Sequence, residues 1–382
     1  MGFHPFHTPY DWGRLDRYRA IAAETGLPLL DLSVGSPVDP VPDAVRRALA
    51  DASDTPGYPA TKGSPALRTA IADWFISCRG IDLRPLHVGI VPTVGSKEAV
   101  SLMASLLHCG QGDVVVQPRV SYPTYEIGTQ LAGGTVLKVD DVADVESWRH
   151  VPGVRAIWVN SPCNPTGEVL SAAQLTTIVA SAREIGATVL SDECYALMDW
   201  REPAAPCALG AGVCAGSAEG VLVLYSMSKQ SNMAGYRAAF IVGDERLVAE
   251  MTVARKQIGQ IIPAPVQAAM VAALRDGTAV NEQRERYQCR LAKLVRALTA
   301  YGYEAAMPRG GLYVWIAARS GGCWQDMEDL SRLGIMVSPG EFYGAPGYLR
   351  CSATASDGVI DEVVARLAAS GNSVAQAPSD AA

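Results

Sequence analysis

Between about residues 88 and 243, short runs rich in β-branched residues alternate with segments whose apolar positions recur at helical spacing. The candidate strands are VGIVP (88–92), DVVVQP (113–118), GTVLKV (134–139), RAIWVN (155–160), ATVLS (187–191), GVLVLYS (220–226) and AAFIVG (238–243). Several are apolar throughout, as strands covered on both faces must be, whereas half-exposed strands alternate with polar residues. Alternation of such runs with helices predicts a mostly parallel sheet layered between helices, an α/β fold. Behind the first run, Gly95 and Ser96 precede Ala99, Leu102, Met103, Leu106 and Leu107, which share one helical face. A helix N-terminus is therefore expected directly behind a strand end.

From about residue 280 the pattern changes. NEQRERYQCRLAKLVRALTAYG predicts a long charged helix, LYVWI and GIMVS predict short strands, and Ile360, Val363, Val364 and Leu367 form the apolar stripe of a last helix. This reads as a smaller α+β domain. The end of the chain, SGNSVAQAPSDAA, has no periodicity and is expected to be a disordered tail.

Composition narrows the classes of partner. With 382 residues, 49% hydrophobic and 19% charged, the chain can bury one large core or two ordinary ones. A net charge of −7 without any Lys/Arg block lacks the electrostatic footprint of a nucleic-acid binder and argues against an anionic membrane surface. The nine cysteines are odd in number and contain no C-x-x-C pair, so they read as reduced thiols rather than a disulfide framework or a zinc ribbon. His4 and His7, close together among prolines, read as solvent-exposed rather than metal-binding. The chain start lacks a signal-peptide pattern, and no apolar run reaches the ~18 residues of a membrane span, so a cytoplasmic protein acting on small molecules is expected. Gly210-Ala-Gly212-Val-Cys-Ala215 matches the G-x-G-x-x-A spacing of dinucleotide sites, but no strand precedes it. It reads as a flexible surface loop.

Four strand ends carry chemical handles, and in open α/β sheets ligands sit outside such carboxyl ends. In YSMSKQSNMAGYRAAF, Ser226 and Ser228 bracket a strand end, Lys229 follows, and Arg237 arrives eight residues later. Read alone, this segment fits a phosphate-binding loop and a solvated turn equally well. In ATVLSDECY, Asp192 lies just past an apolar strand, where a carboxylate is costly unless it has a partner, and Tyr195 follows three residues on. WVNSPCNPTG places Asn164 in a proline-bounded turn, and PRVSYPTYE presents Tyr122 on a loop.

Taken together, N-P-T-G, then S-D-E-C-Y, then S-M-S-K followed by G-Y-R, and finally the arginine of YLRCSA, resemble the class I/II aminotransferases, pyridoxal-phosphate enzymes of fold type I. The resemblance runs from DLSVGSP to the last helix. LSVGSPVDPVP, GYPATKG, SDECY and PAPVQAAMVAAL are similar, more narrowly, to the succinyldiaminopimelate aminotransferases of actinobacteria.

The resemblance implies a large domain with a seven-stranded, mostly parallel sheet (46–278), a smaller α+β domain (279–370) joined by an N-terminal arm (1–45), and a tail (371–382). It implies that Lys229 bonds the cofactor covalently and later acts as a general base, and that Asp192 faces the pyridine nitrogen. Tyr195 and Asn164 match the residues on the cofactor's 3-oxygen. Tyr122 matches the aromatic on its ring, though the residue also fits a packed core tyrosine. The N–H groups of Ser96 and Lys97, with Ser226, Ser228 and Arg237, match the phosphate site, an anion being favoured at a helix start. Lys97 fits a solvated first-turn residue as well. Tyr58 matches the tyrosine that reaches the neighbouring subunit's phosphate, which implies a homodimer with shared sites. Arg350 matches the bidentate clamp on the substrate carboxylate, its bland alternative being a surface ion pair, and Gly35 is expected beside the same carboxylate, where a side chain would collide with it.

Four positions depart from the succinyldiaminopimelate pattern. Gln230 and Glu168 stand where arginine is common, Cys163 where serine is, and Gln257 where histidine is. The two arginine changes are expected to remove positive charge near the site, leaving Arg119, Arg309, Lys62 and Lys256 as candidate cations for a distal carboxylate. The expected reaction is amino transfer from a donor such as glutamate to a 2-oxo acid of diaminopimelate type. The alternatives are β- or γ-elimination or carbon–carbon bond formation in specialised metabolism, and, remotely, a pyridoxal-sensing regulator, for which no DNA-binding module is evident.

Overall fold

All seven apolar runs are strands of one sheet in the computed structural model, which describes residues 6, 8, 10–202 and 204–374. A short strand, β1 (Leu30–Asp31), precedes β2 (Val88–Val94), β3 (Val114–Pro118), β4 (Thr135–Val139), β5 (Val154–Asn160), β6 (Thr188–Asp192), β7 (Val221–Ser226) and β8 (Ala238–Asp244). The spatial order is β2-β8-β7-β6-β5-β3-β4. Only β8 runs against its neighbours. Two reversals restore direction, so β2 ends at the same edge as β3, β5, β6 and β7.

The reason for the unbroken apolar runs is visible in the packing. Ile157 and Val189 join a core with Trp74 and Phe75, while their neighbours Trp158 and Leu190 join Met103 and Tyr125. Successive side chains of a strand point to opposite faces, so both faces of the sheet are covered and both sets must be apolar.

A second core is assembled from both ends of the chain: Leu15, Leu30 and Leu32 pack with Leu294, Ile316, Leu349 and Val363. Here β1 pairs in parallel with β10 (Ile335–Met336), and β11 (Ser338–Pro339), β12 (Tyr348–Ser352) and β9 (Tyr313–Ala317) form an antiparallel sheet. GIMVS, expected as one strand, is thus two, because β10 and β11 pair with different partners. The last helix, Asp357–Val374, continues into the stretch expected to be tail, and 375–382 lie outside the described residues, as do His4 and His7. Residues 210–215 are not a flexible loop: Ala211–Cys214 is a helical turn with Val213 and Cys214 buried.

One ion network ties the two chain ends together. Arg290, on the helix Gly277–Ala300, donates from both terminal nitrogens to Asp39 at 2.7 Å and from Nε to Asp357 at 2.7 Å. Burial raises the Asp39 pKa, but the hydrogen bonds from Arg290 and Gln283 outweigh it and hold the carboxyl below its ordinary value. A depressed carboxylate contributes stability above its unfolded pKa and loses it as pH falls through the folded one. Asp39→Ala is therefore expected to cost about 3 kcal/mol in urea unfolding near neutral pH, since it leaves both terminal nitrogens of a buried guanidinium without their carboxylate, and the deficit should shrink below pH ~4. An equal deficit at all pH values would contradict this account.

Candidate active site

The carboxyl edge of the sheet and the second core enclose a cleft of about 260 Å³. Lys229, Asp192, Tyr195, Ser96, Lys97, Tyr122, Asn164, Ser226, Ser228, Arg237, Gly35 and Arg350 all line it. Tyr58 does not, and is fully exposed on this chain.

At one end the cleft is built for an anion. Gly95, at φ +79°, turns the chain from β2 into the helix Ser96–Leu106, and a Cβ there would overlap the Arg237 guanidinium, so only glycine satisfies both the backbone and the space. The first free N–H groups of that helix converge with Ser226, Ser228 and Arg237. The Ser226 hydroxyl donates to Ser228 Oγ (2.9 Å) and accepts the Ser228 N–H (3.2 Å), which holds the pair in place. Among the described residues no carboxylate pairs with Arg237, which leaves its charge for a ligand. Glu98 in the first helical turn would oppose an anion, but fully buried Arg255 grips its carboxylate at 2.8 and 2.9 Å. Glu98 also accepts the Val94 N–H, bracing the strand end.

Asp192 ends β6 and is buried. Its carboxylate accepts the Tyr125 hydroxyl at 2.7 Å and the Cys194 N–H at 3.2 Å. Burial raises its pKa against these bonds. The partner expected for this carboxylate is thus Tyr125, a neutral phenol stacked on Trp158. No cation pairs with it among the described residues, so a ligand offering a charged N–H would complete the site. Tyr122, in edge contact with Tyr125, lines the cleft as expected of a ring-facing aromatic.

Asn164 is set by a residue that motif reading passed over. Asn160, the last residue of β5, donates to the Asp192 carbonyl (2.9 Å) and accepts the Asn164 N–H (2.8 Å). Two asparagines four apart in WVNSPCN were the available signal.

Lys229 follows directly on the strand–turn at Ser226, in the helical turn Met227–Gln230. Its Nζ donates to the Gly35 carbonyl. Burial, reinforced by Arg350 and Arg237 and opposed by Tyr313, lowers its pKa from the ordinary lysine value.

Arg350, on β12, is buried rather than engaged in a surface ion pair. It donates to Asn164 Oδ1 and to the Ser33 carbonyl, each at 2.8 Å, and its guanidinium carbon lies 4.0 Å from the Tyr313 ring centroid and 4.6 Å from that of Tyr343. Its Nε is buried without a partner. A cation fixed between two aromatic faces, with a donor to spare, suits a carboxylate ligand. Gly35 lines the cleft, and a Cβ there would overlap the Tyr313 hydroxyl.

The cleft-lining residues missed in the sequence are mostly aromatic. Tyr10, Trp12, Tyr313 and Tyr343 line the cleft, and Tyr10 and Trp12 meet Phe342 edge-on at 5.7 and 5.5 Å. Lys97 Nζ sits 5.3 Å from the Tyr10 ring centroid. Nothing in the pattern around TPYDWGRL marked these rings, because only tertiary packing brings the N-terminal segment to the cleft.

The four departures lie elsewhere. Gln230 is buried with its amide bonded to Tyr225 and Ser231, and faces a second cavity of about 820 Å³ lined also by Trp74 and Arg79. The expected loss of positive charge at the site through Gln230 is therefore corrected: one residue beyond Lys229, the side chain points away. Glu168 is exposed beside Arg309 (3.4 Å), Gln257 is exposed, and Cys163 is buried outside the cleft lining. Arg119 pairs with Asp140 at 2.6 Å, and neither it nor Arg309, Lys62 or Lys256 lines the cleft. Among the described residues no cluster of His, Cys, Asp and Glu could hold a metal, and no helix is long and apolar enough to cross a membrane.

Comparison with known proteins agrees with this geometry. The family model for aminotransferase class I and II matches residues 28–367. The 4-dedimethylamino-4-oxo-anhydrotetracycline transaminase OxyQ of Streptomyces rimosus is 43% identical, over 94% of this chain and 98% of its own. The probable aminotransferase Rv1178 of Mycobacterium tuberculosis is 42% identical, over 94% and 84%. Among solved structures, a single mutant of Thermus thermophilus aspartate aminotransferase superimposes with a TM-score of 0.83 at 25% identity, covering 96% of this chain and 97% of that one.

Proposed function

This chain belongs to the class I and II aminotransferases, which depend on pyridoxal phosphate, and from that membership we propose that it moves an amino group from a donor such as glutamate to a ketone acceptor held against an aromatic wall. The aromatic lining supplied by Tyr10, Trp12 and Tyr343 carries this reading.

The residues fit the cofactor. The helix start at Ser96 and Lys97, with Ser226, Ser228 and Arg237, takes the phosphate. Asp192, buried without a cation, would meet the ring nitrogen; Tyr122 would cover the ring; Tyr195 and Asn164 would serve its 3-oxygen; and Lys229 would supply the amine that bonds it. When bound, pyridoxal phosphate supplies an electron sink for the charge left on the substrate α-carbon. Lys229 moves the α-proton, and Arg350 with the backbone around Gly35 orients the α-carboxylate. Tyr58, exposed on its own chain, serves the site of a second copy in a homodimer. All nine cysteines are free, which suits a reducing, cytoplasmic setting.

The choice of acceptor follows from charge. Lys229, Arg237 and Arg350 are engaged by the roles above, which leaves Lys97 as the one further cation lining the cleft among the described residues. Lys97 suits the distal carboxylate of glutamate. An acceptor of succinyldiaminopimelate type, the narrower expectation from the sequence, would use the same single cation and leave the rings without a partner. The name of the Streptomyces rimosus relative, a transaminase of a 4-oxo compound, also supports a ketone acceptor.

Incubating the loaded enzyme with L-glutamate and no acceptor should release one equivalent of 2-oxoglutarate per bound cofactor. With acceptors added, phenylpyruvate should exceed succinyl-2-amino-6-oxopimelate in kcat/KM by about tenfold or more, the worth of one good aromatic contact. Failure of glutamate, aspartate and alanine alike to yield an oxo acid would refute amino transfer, and the reverse acceptor order would refute the aromatic reading alone.

A further inference from the structure

Tyr313, on β9, has no task in the roles above, yet it lies against Tyr195, Arg350 and Gly35 in the cleft. Its hydroxyl lies 2.8 Å from that of Tyr195. Its ring supports the Arg350 guanidinium at 4.0 Å. Its oxygen fills the space that a side chain at Gly35 would need, and the Gly35 carbonyl in turn accepts from Lys229.

We propose that Tyr313 is a positioning residue that couples a carboxylate bound at Arg350 to the hydroxyl of Tyr195, so that filling the carboxylate subsite changes the protonation and direction of the hydroxyl pair. The proposal rests on the assignment of Arg350 and Tyr195 given above.

The groups facing the phenol are Arg350 from β12, Lys229 from the turn after β7, and Tyr195 and Cys194 from the turn after β6, with Tyr343 across the guanidinium. Burial raises the Tyr313 pKa, but Arg350 above all, with the Tyr195 hydrogen bond, works against it, so Tyr313 is lowered while buried Tyr195 is raised. Tyr313 is thus the more acidic partner and accepts the Tyr195 proton. A carboxylate on Arg350 offsets the cation that makes it so. Tyr313 then takes up a proton and donates toward Tyr195, which frees the Tyr195 hydrogen for the cofactor side of the cleft. Asn164 offers a parallel link, accepting from Arg350 at 2.8 Å, but an amide has no proton to gain. Proton uptake therefore separates the two links.

The test uses the loaded enzyme and 3-phenylpropanoate, a carboxylate with a ring and no amine. In a titration through the tyrosine range, saturation should move the lowest ultraviolet phenolate midpoint of the wild type upward, so that the phenolate band at a fixed pH diminishes, and should raise the pH midpoint of the bound cofactor's visible absorbance. Tyr313→Phe keeps a ring face for Arg350, so affinity should stay within about threefold, while the phenolate change disappears and the midpoint shift falls by more than half. Tyr343→Phe, which touches Arg350 but not Tyr195, should retain both responses. An unchanged phenolate band in the saturated wild type overturns the proposal, whether or not Tyr313→Phe folds, and so does a full response in Tyr313→Phe. Absence of any cofactor absorbance from the loaded wild type would instead overturn the pyridoxal-phosphate reading on which the proposal stands.

Discussion

Lys229→Ala is expected to slow amino transfer by ~10⁴-fold or more, measured as 2-oxoglutarate formed from glutamate. Two losses combine. The variant has no amine to bond the cofactor, and no base to move the α-proton. Lys97 does not substitute, because its amine lies over the Tyr10 ring. The expected loss is chemical and not structural. Lys229 is desolvated and faces Arg350 and Arg237, so the site disfavours a charge there and the fold gains little from this side chain. The cofactor-free variant should accordingly melt no lower than cofactor-free wild type. A variant that retains more than ~1% of the activity would remove Lys229 from the mechanism.

Asp192→Ala is expected to lower kcat by ~10²–10³-fold, the scale for removing one preorganised electrostatic partner from a water-poor site. The carboxylate is buried with neutral donors only, Tyr125 and the Cys194 N–H, and its charge is costly until a positive N–H arrives. Asp192→Asn separates charge from shape. The amide oxygen still accepts the Tyr125 hydroxyl, so the fold should be retained while kcat falls nearly as far as in the alanine variant. Phosphate-side anchoring at Ser96, Ser226, Ser228 and Arg237 is untouched in both, so equilibrium dialysis should find cofactor binding weakened and not abolished. An Asp192→Asn enzyme with wild-type kcat would show that charge at this position is dispensable.

Much of the cleft lining along the sheet edge was legible in the sequence, and for a physical reason. Asp192, Asn164, Ser226 and Lys229 sit at or just past strand ends, and strand ends are announced locally, by an apolar run that stops at a turn residue. Gly95 before Ser96 announced the helix start in the same way. The supporting residues were harder to see. Tyr125 and Asn160 hold Asp192 and Asn164, yet in sequence they are an ordinary helix residue and an ordinary strand residue. Arg255 neutralises Glu98 from 157 positions away. Such pairings have no local signature, because the partner is chosen by packing.

Charge was the least legible property. A net −7 argued against a nucleic-acid surface but said nothing about a cleft that gathers Lys97, Lys229, Arg237 and Arg350. Counting arginines lost from the family pattern misled in the same way at Gln230. Adjacent residues on a helix differ in direction by about 100°, so Lys229 faces the cleft while Gln230 faces another cavity behind it.

The order of residues alone determined the sheet, its covered faces and the handles at its carboxyl edge, because periodicity and turn chemistry act over a few residues. Tertiary structure decided what those handles meet. It brought Trp12 and Tyr10 from the chain start, and Tyr313, Tyr343 and Arg350 from near its end, to one side of the cleft. The character of the substrate side therefore depends on contacts between distant segments, where burial, stacking and the mutual neutralisation of charges are settled only when the chain is folded.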